Sequence, residues 1–177
     1  MAQLRLIAPS LVITLVIASC GRSEAAPQAQ LSGLASPKGW QLDGELAKTA
    51  ASAAADPKAG ITVVGSEAWS EPARGCYAVW LDVRGDAAPI DVASEQLLAA
   101  LAKELPDVKL REIAKPVAAD RGMLALAFDS RGFHGMLRVE LASTGEVHAL
   151  ACAWNRREPK ACEVGCTALF GLFGAAT

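Results

Sequence analysis

The five cysteines are the residues best suited to chemistry in this sequence, and their spacing separates one of them from the other four. Cys20 stands at the end of an apolar N-terminal run, whereas Cys76, Cys152, Cys162 and Cys166 lie much further along the chain. A cysteine thiol can be acylated, oxidised to a disulfide, bound to a metal or used in redox catalysis. We therefore expect Cys20 and the four later cysteines to serve different purposes.

The residues before Cys20 have the features of an export signal. Arg5 and the α-amino group precede an apolar run over residues 6–19. This run is shorter than the roughly 20 residues that a helix needs to cross a bilayer. A cationic start followed by a short apolar run is typical of a secretory signal peptide. The sequence therefore predicts a signal peptide over residues 1–19 that is removed after export.

The end of this run, IASC at residues 17–20, resembles the lipobox of bacterial lipoproteins, in which an aliphatic residue and two small residues precede a cysteine. The resemblance covers residues 1–20 only. It implies cleavage before Cys20 and attachment of a diacylglycerol to its thiol, which anchors the protein to a membrane of the cell envelope. Gly21 stands where an aspartate would resemble the signal for retention in the inner membrane. The resemblance therefore favours the outer membrane, facing the periplasm, over the inner membrane.

Residues 20–37 lack hydrophobic periodicity and are rich in alanine, serine, glycine, glutamine and proline, which is typical of a flexible tether. Residues 38–177 are then expected to form a single domain, long enough to bury a hydrophobic core. Two alternatives stay open for the N-terminus. An ordinary signal peptidase could cut after the small residues in SEA at 23–25 and release a soluble protein, or the apolar run could remain in the membrane as a helix.

The charge balance argues against a nucleic-acid partner. The chain has 17 lysines and arginines against 19 aspartates and glutamates, which gives a formal net charge of −2. A nucleic-acid-binding domain would show a basic patch or a characteristic aromatic motif. The phosphate-binding and dinucleotide-binding glycine motifs and the calcium-loop spacing are also absent from the sequence. The sequence therefore predicts no nucleic-acid partner, no cofactor and no metal site.

Hydrophobic periodicity and turn residues predict both helices and strands in the domain. The predicted helices cover residues 43–56, 91–105 and 160–173. The predicted strands cover residues 61–69, 76–85, 109–117, 122–128, 133–141 and 146–154. Short connections make neighbouring strands antiparallel, and Pro116 suits an edge strand because proline cannot donate a ladder hydrogen bond. The fold class is therefore α+β, with an antiparallel sheet of about five to six strands and helices packed on it.

The pattern of the domain over residues 37–173 resembles the α/β/α sandwich of PsbP-like domains. The shared features are Gly39-Trp40 at the start, a central antiparallel sheet, and a last strand that leads into a C-terminal helix. The resemblance implies a scaffold for interactions and no particular activity, since a fold alone does not define a function.

The four later cysteines predict two disulfides, because their number is even and an exported chain meets an oxidising compartment. Cys162 and Cys166 lie on one face of the C-terminal helix, where a bond between them would have poor geometry. The preferred pairing is Cys152–Cys162 with Cys76–Cys166, because the connection from the last strand to the helix is short. The exchanged pairing is the alternative. Zinc binding and redox catalysis are disfavoured because the sequence has no Cys-x-x-Cys.

No catalytic site is predicted from the histidines and their neighbours. Asp129, Ser130 and His134 are close in sequence, but the Gly-x-Ser-x-Gly of a nucleophile elbow is missing. His134 is expected at an exposed turn and His148 on the surface of a strand. A triad also needs a supported nucleophile and an oxyanion hole, and the sequence indicates neither.

Three weaker features could mark a binding site. Glu67 and Glu71 form a possible acid pair, although two acids on a hairpin loop usually belong to a solvated turn. Arg156-Arg157 could hold an anion, with the indole of Trp154 stacked on a guanidinium. An exposed indole among Trp40, Trp69 and Trp154 would mark a surface for a partner or ligand.

The sequence therefore predicts a lipid-anchored protein of the cell envelope that binds an envelope protein or a small ligand and is not an enzyme. Two alternatives stay open. One is an envelope hydrolase whose active site follows no known motif, and the other is a structural subunit of an envelope complex.

Overall fold

The computed structural model describes residues 33–104, 108–114, 120–130, 132–157 and 159–173. Its elements, in chain order, are β1 (Gln41–Leu42), α1 (Gly44–Ala54), a turn of 3-10 helix (Pro57–Ala59), β2 (Thr62–Glu71), β3 (Cys76–Arg84), α2 (Ile90–Glu104), β4 (Lys109–Ala114), β5 (Arg121–Ser130), β6 (Phe133–Ala142), β7 (Glu146–Asn155) and α3 (Pro159–Phe173). The predicted helices and strands are all present. The sequence did not predict β1, because a strand of two residues is too short to show periodicity.

All of these strands belong to one antiparallel sheet with the order β1-β2-β3-β7-β6-β5-β4. The β2–β3 hairpin and the β5–β6–β7 meander follow the chain, as expected from their short connections. β4 lies at the edge, and Pro116 itself is outside the described residues. The central contact is between β3 and β7, which are far apart in sequence. The α+β fold class with an antiparallel sheet is therefore confirmed.

One face of the sheet packs against α1 and α2. Alternate strand residues point to this side, among them Val79 and Leu81 of β3. α1 contributes Leu46 and α2 contributes Leu97 to the same core. Burial of each such side chain contributes about 1.5–3 kcal/mol. α1 begins where the Oδ1 atom of Asp43 accepts a hydrogen bond from the main-chain N–H of Leu46 at 3.0 Å, which caps the helix.

The opposite face carries a second core, rich in tryptophan, beneath α3. Its buried members are Leu34, Trp40, Trp69, Cys76, Ala78, Trp80, Leu150, Cys152, Trp154, Cys162, Cys166, Leu169 and Phe173. A Cβ atom placed on Gly165 would lie 2.8 Å from ring atoms of Trp40, so only glycine lets α3 approach this indole. The chain therefore forms three layers: α1 with α2, the sheet, and α3.

The position of Leu34 corrects the predicted start of the domain. The sequence placed this residue in the tether over residues 20–37, because an isolated leucine has no periodic neighbours. In the structure Leu34 is 2% exposed and belongs to the tryptophan-rich core. The packed part of the chain therefore begins before residue 38.

Candidate functional site

Two disulfides join α3 to the sheet, but in the exchanged pairing rather than the preferred one. Cys76 is bonded to Cys162, and Cys152 is bonded to Cys166. The Cα atoms are 5.4 Å apart in the first pair and 5.9 Å apart in the second. All four cysteines are fully buried.

The direction of α3 explains this pairing. After β7 ends, the chain turns back over the sheet, so the start of α3 passes the end of the strands, where Cys76 lies opposite Trp154. One helical turn later α3 reaches Cys152, which lies two residues further from the end of β7. From Cys162 to Cys166 the helix rises about 6 Å, and the two-residue step along β7 from Trp154 to Cys152 covers about 6.6 Å. The two helix cysteines are therefore spaced to reach Cys76 and Cys152. The short connection between β7 and α3 could not predict this pairing, because its length does not show that α3 runs back over the sheet.

A third contact holds the other end of α3. Nη1 of Arg138, on β6, donates a hydrogen bond to the main-chain carbonyl of Phe170 at 3.2 Å, and Nε of Arg138 donates to Sδ of Met123. The three contacts to α3 come successively from β3, β7 and β6. The helix therefore crosses the sheet diagonally and leaves part of this face uncovered.

The uncovered part contains a row of side-by-side residues that we call the polar row: Gly65, Asp82, His148, Glu140 and Met123. Each of these residues is paired with the next across adjacent strands, in the order β2, β3, β7, β6 and β5. Adjacent strands lie about 4.8 Å apart, so the side chains form a line across the sheet. Alternation along β7 places this row on the same face as Cys152 and Trp154.

The centre of the polar row is accessible and carries hydrogen-bonding groups. Nδ1 of His148 lies 3.5 Å from Oδ1 of Asp82, and their side chains are 37% and 28% exposed. Glu140 flanks His148 on the other side and is half-buried. Two carboxyl groups and one imidazole can therefore meet a partner that offers hydrogen-bond donors or a positive charge.

Sequence reasoning missed the polar row, because it placed His148 on the surface of a strand without bringing Asp82 beside it. Their contact depends on the pairing of β3 with β7, and local patterns cannot indicate such a distant pairing. The one signal within the sequence was the alternation that puts His148 in phase with Cys152 along the last strand.

The predicted neighbours Asp129 and His134 do come together, beside the turn of the β5–β6 hairpin. Oδ1 of Asp129 contacts Nδ1 of His134 and accepts a hydrogen bond from Nη2 of Arg156 at 3.2 Å. All three side chains are more than one-third exposed. Exposed ion pairs of this kind contribute about 0–1 kcal/mol. The side chain of Ser130 lies outside the described part of the chain, and the remaining arrangement is a surface ion-pair cluster.

The other sequence candidates do not form sites. Glu67 is buried and faces Trp80, whereas Glu71 makes an ion pair with Arg74 at 3.4 Å. Four residues of strand separate the two glutamates by about 13 Å, too far for a shared acid–base role. Trp154 is buried in the tryptophan-rich core.

The remaining tryptophans are buried as well, so no indole is exposed as a patch. The indole N–H groups of Trp69 and Trp154 have no acceptor among the described residues. Both residues belong to the core beneath α3.

The described residues provide neither a metal site nor a membrane-spanning helix. Within them, no group of three or more histidine, cysteine, aspartate and glutamate side chains is placed to hold a metal ion. No helix in the same part of the chain is long and apolar enough to cross a membrane. Cys20 lies outside the described residues.

Comparison with protein-family models and with curated protein sequences gave no match for this chain.

Proposed function

We propose that this chain is an exported, lipid-anchored binding domain of the bacterial cell envelope that contacts its partner through the polar row. The observation that carries the proposal is the pair of fully buried disulfides between the sheet and α3. Disulfides of this kind form and persist in oxidising compartments such as the periplasm. The apolar N-terminal run before Cys20 also indicates export.

In this proposal the signal peptide over residues 1–19 is removed and Cys20 carries the lipid. Stable attachment to a bilayer requires more than one acyl chain, which a diacylglycerol with a further N-acyl group supplies. The stretch from Cys20 to Gly33 can span at most about 45 Å when fully extended. The domain therefore stays close to its membrane, for which we propose the outer membrane, facing the periplasm.

Binding rather than catalysis is the role that the polar row supports. The contact between Asp82 and His148 could orient an imidazole as a general base. A hydrolase also needs a nucleophile or a bound water that is held beside this base. The neighbours of the pair in the row are Gly65 and Glu140, and neither is an activated nucleophile. Carboxylate and imidazole groups on a fixed, partly exposed sheet are instead suited to hydrogen bonding with an envelope protein or a small ligand.

The anchor can be tested by replacing Cys20 in the full chain. Cys20→Ser should abolish incorporation of labelled fatty acid and leave the chain with its signal still attached. Ser23→Ala is the matched control, because it changes a nearby small residue and should leave lipidation unchanged. Fatty acid on the Cys20→Ser variant, or its absence from the unsubstituted chain, would contradict the lipid anchor.

The binding face can be tested in the same membranes with a photoreactive benzophenone amino acid. We expect an adduct to form when this residue replaces Glu146, which lies beside the polar row on the same face of β7, and not when it replaces Glu45, which is exposed on α1. Combining the probe at Glu146 with Asp82→Ala and His148→Ala should remove the adduct. Asp129→Ala with His134→Ala, the other Asp–His contact, should leave it intact. Identical adducts at Glu45 and Glu146 would contradict binding through the polar row.

A further inference from the structure

The outer surface of α3 is unusually apolar for a helix on the surface of a domain. Val164 is 73% exposed and Leu172 is 42% exposed. They lie two helical turns apart, with exposed Ala168 between them, so the three residues form one stripe. We call Val164, Ala168 and Leu172 the outer stripe of α3. It cannot be the core-facing side of the helix, because Cys162 and the other inward residues already cover the sheet.

A surface helix normally presents charged and polar side chains to solvent opposite its apolar face. α3 instead has apolar side chains on both sides. Four large apolar side chains are exposed in the described part of the chain, and two of them belong to this helix. The other two, Val64 and Val92, are single residues on β2 and α2. Isolated exposed valines are ordinary, whereas an aligned apolar stripe marks a contact surface.

The packing of Leu34 and Trp40 indicates what this surface meets. Leu34 is buried in the core beneath α3, and Trp40 packs against Gly165 of the same helix. The segment that contains Cys20 therefore joins the domain on its α3 side. A short tether from this side brings α3, rather than α1 or α2, nearest to the anchored end of the chain.

The charges around the stripe are mixed. Lys160 and Glu163 are exposed beside it, and Arg156 at the end of β7 is already engaged with Asp129. The surface therefore lacks the single-sign basic cluster that would select anionic lipids. Its attraction for a bilayer comes from apolar side chains, which can enter the boundary between headgroups and acyl chains.

We propose that the outer stripe of α3 lies against the surface of the lipid bilayer to which the chain is anchored. This inference rests on the lipid anchor proposed above. It adds a defined orientation, in which α3 and the polar row, which lie on the same face of the sheet, face the membrane, and α1 and α2 face away from it. The partner of the polar row then reaches it along the membrane surface. A second copy of the chain or another protein would be different occupants of the stripe.

The test uses the full chain, purified from membranes and reconstituted into vesicles of phosphatidylethanolamine with phosphatidylglycerol as the minority lipid. A benzophenone amino acid replaces Val164, Leu172, Val64 or Val92, one at a time. Each variant must keep both disulfides, as checked by its mass before and after reduction. After illumination, we expect lipid adducts from Val164 and Leu172 at several times the yield from Val64 and Val92.

The outcomes separate this inference from the anchor. A chain that does not float with the vesicles shows that the anchor proposal has failed, which also removes the basis for the orientation. A chain that floats but gives equal lipid adducts at all four positions overturns the orientation alone. Protein adducts, or no adducts, at Val164 and Leu172 overturn it as well. Vesicles of phosphatidylcholine alone should give the same pattern, and a requirement for phosphatidylglycerol would contradict an apolar contact.

Discussion

Cys76 on β3 is bonded to Cys162 near the start of α3, 86 positions later in the chain, with 5.4 Å between the Cα atoms. This bond ties the β2–β3 hairpin to the C-terminal helix across the whole of the intervening chain. The second bond, from Cys152 to Cys166, spans only 14 positions. One disulfide therefore constrains the global arrangement, and the other fixes α3 locally on the strand that precedes it.

The pairing can be tested by proteolysis without reduction. Glu163 lies between the two helix cysteines, so a protease that cleaves after glutamate separates Cys162 from Cys166. Mass spectrometry should find the Cys162 fragment linked to the peptide of Cys76, and the Cys166 fragment linked to the peptide of Cys152. Crossed linkages would restore the pairing preferred from the sequence and would contradict the direction of α3.

The two disulfides should differ in their contribution to stability. In the loop-entropy description a bond that closes about 100 residues contributes about 4.7 kcal/mol, and one that closes about 15 residues about 3 kcal/mol. We therefore expect Cys76→Ala with Cys162→Ala to lower the free energy of unfolding more than Cys152→Ala with Cys166→Ala. Urea unfolding followed by tryptophan fluorescence measures both. A larger loss from the short-loop pair would show that local packing, and not chain entropy, dominates.

Arg138 should stabilise the C-terminal end of α3. Removing its guanidinium takes away the donor to the Phe170 carbonyl, and a hydrogen bond from a charged group contributes about 1.5–3 kcal/mol. Arg138→Ala should therefore lower the free energy of unfolding by about this amount and speed hydrogen exchange in the last turn of α3. Arg84→Ala, which breaks an exposed ion pair with Glu146, is the control and should cost about 0–1 kcal/mol. Equal effects from both variants would argue against a specific role for Arg138.

Two glycines in α3 provide a matched pair for testing how closely the helix approaches the sheet. A Cβ at Gly165 meets Trp40, whereas a Cβ at Gly171 meets nothing within 4 Å. Gly165→Ala should destabilise the domain by about 1–3 kcal/mol through overpacking. Gly171→Ala should stabilise it by about 0.5–1 kcal/mol, because alanine loses less backbone entropy in a helix. Urea midpoints that move in the same direction for both variants would contradict the packing of Trp40.

Much of the fold could be predicted because its elements are local. The apolar periodicity around Leu97 and the alternation along β6 depend only on nearby residues, and both indicate the correct element. β1 could not be found in this way, because Gln41-Leu42 becomes a strand only by pairing with Trp69 and Ser70 of β2.

The candidate site could not be predicted from local sequence patterns either, because it also depends on strand pairing. Asp82 and His148 meet because β3 pairs with β7, and the cysteine pairing follows from the path of α3 over that pair. Both depend on contacts between distant parts of the chain. Composition and spacing indicated that the cysteines would pair, but the partners were decided by the direction of the helix.

The most direct test of the central proposal is the intact mass of protein extracted from membranes, measured with and without reduction followed by thiol alkylation. We expect a mass that corresponds to cleavage before Cys20 plus acyl chains. We also expect the four cysteines of the domain to be alkylated only after reduction. A mass without acyl chains, or four thiols that react without a reductant, would contradict an exported, lipid-anchored domain.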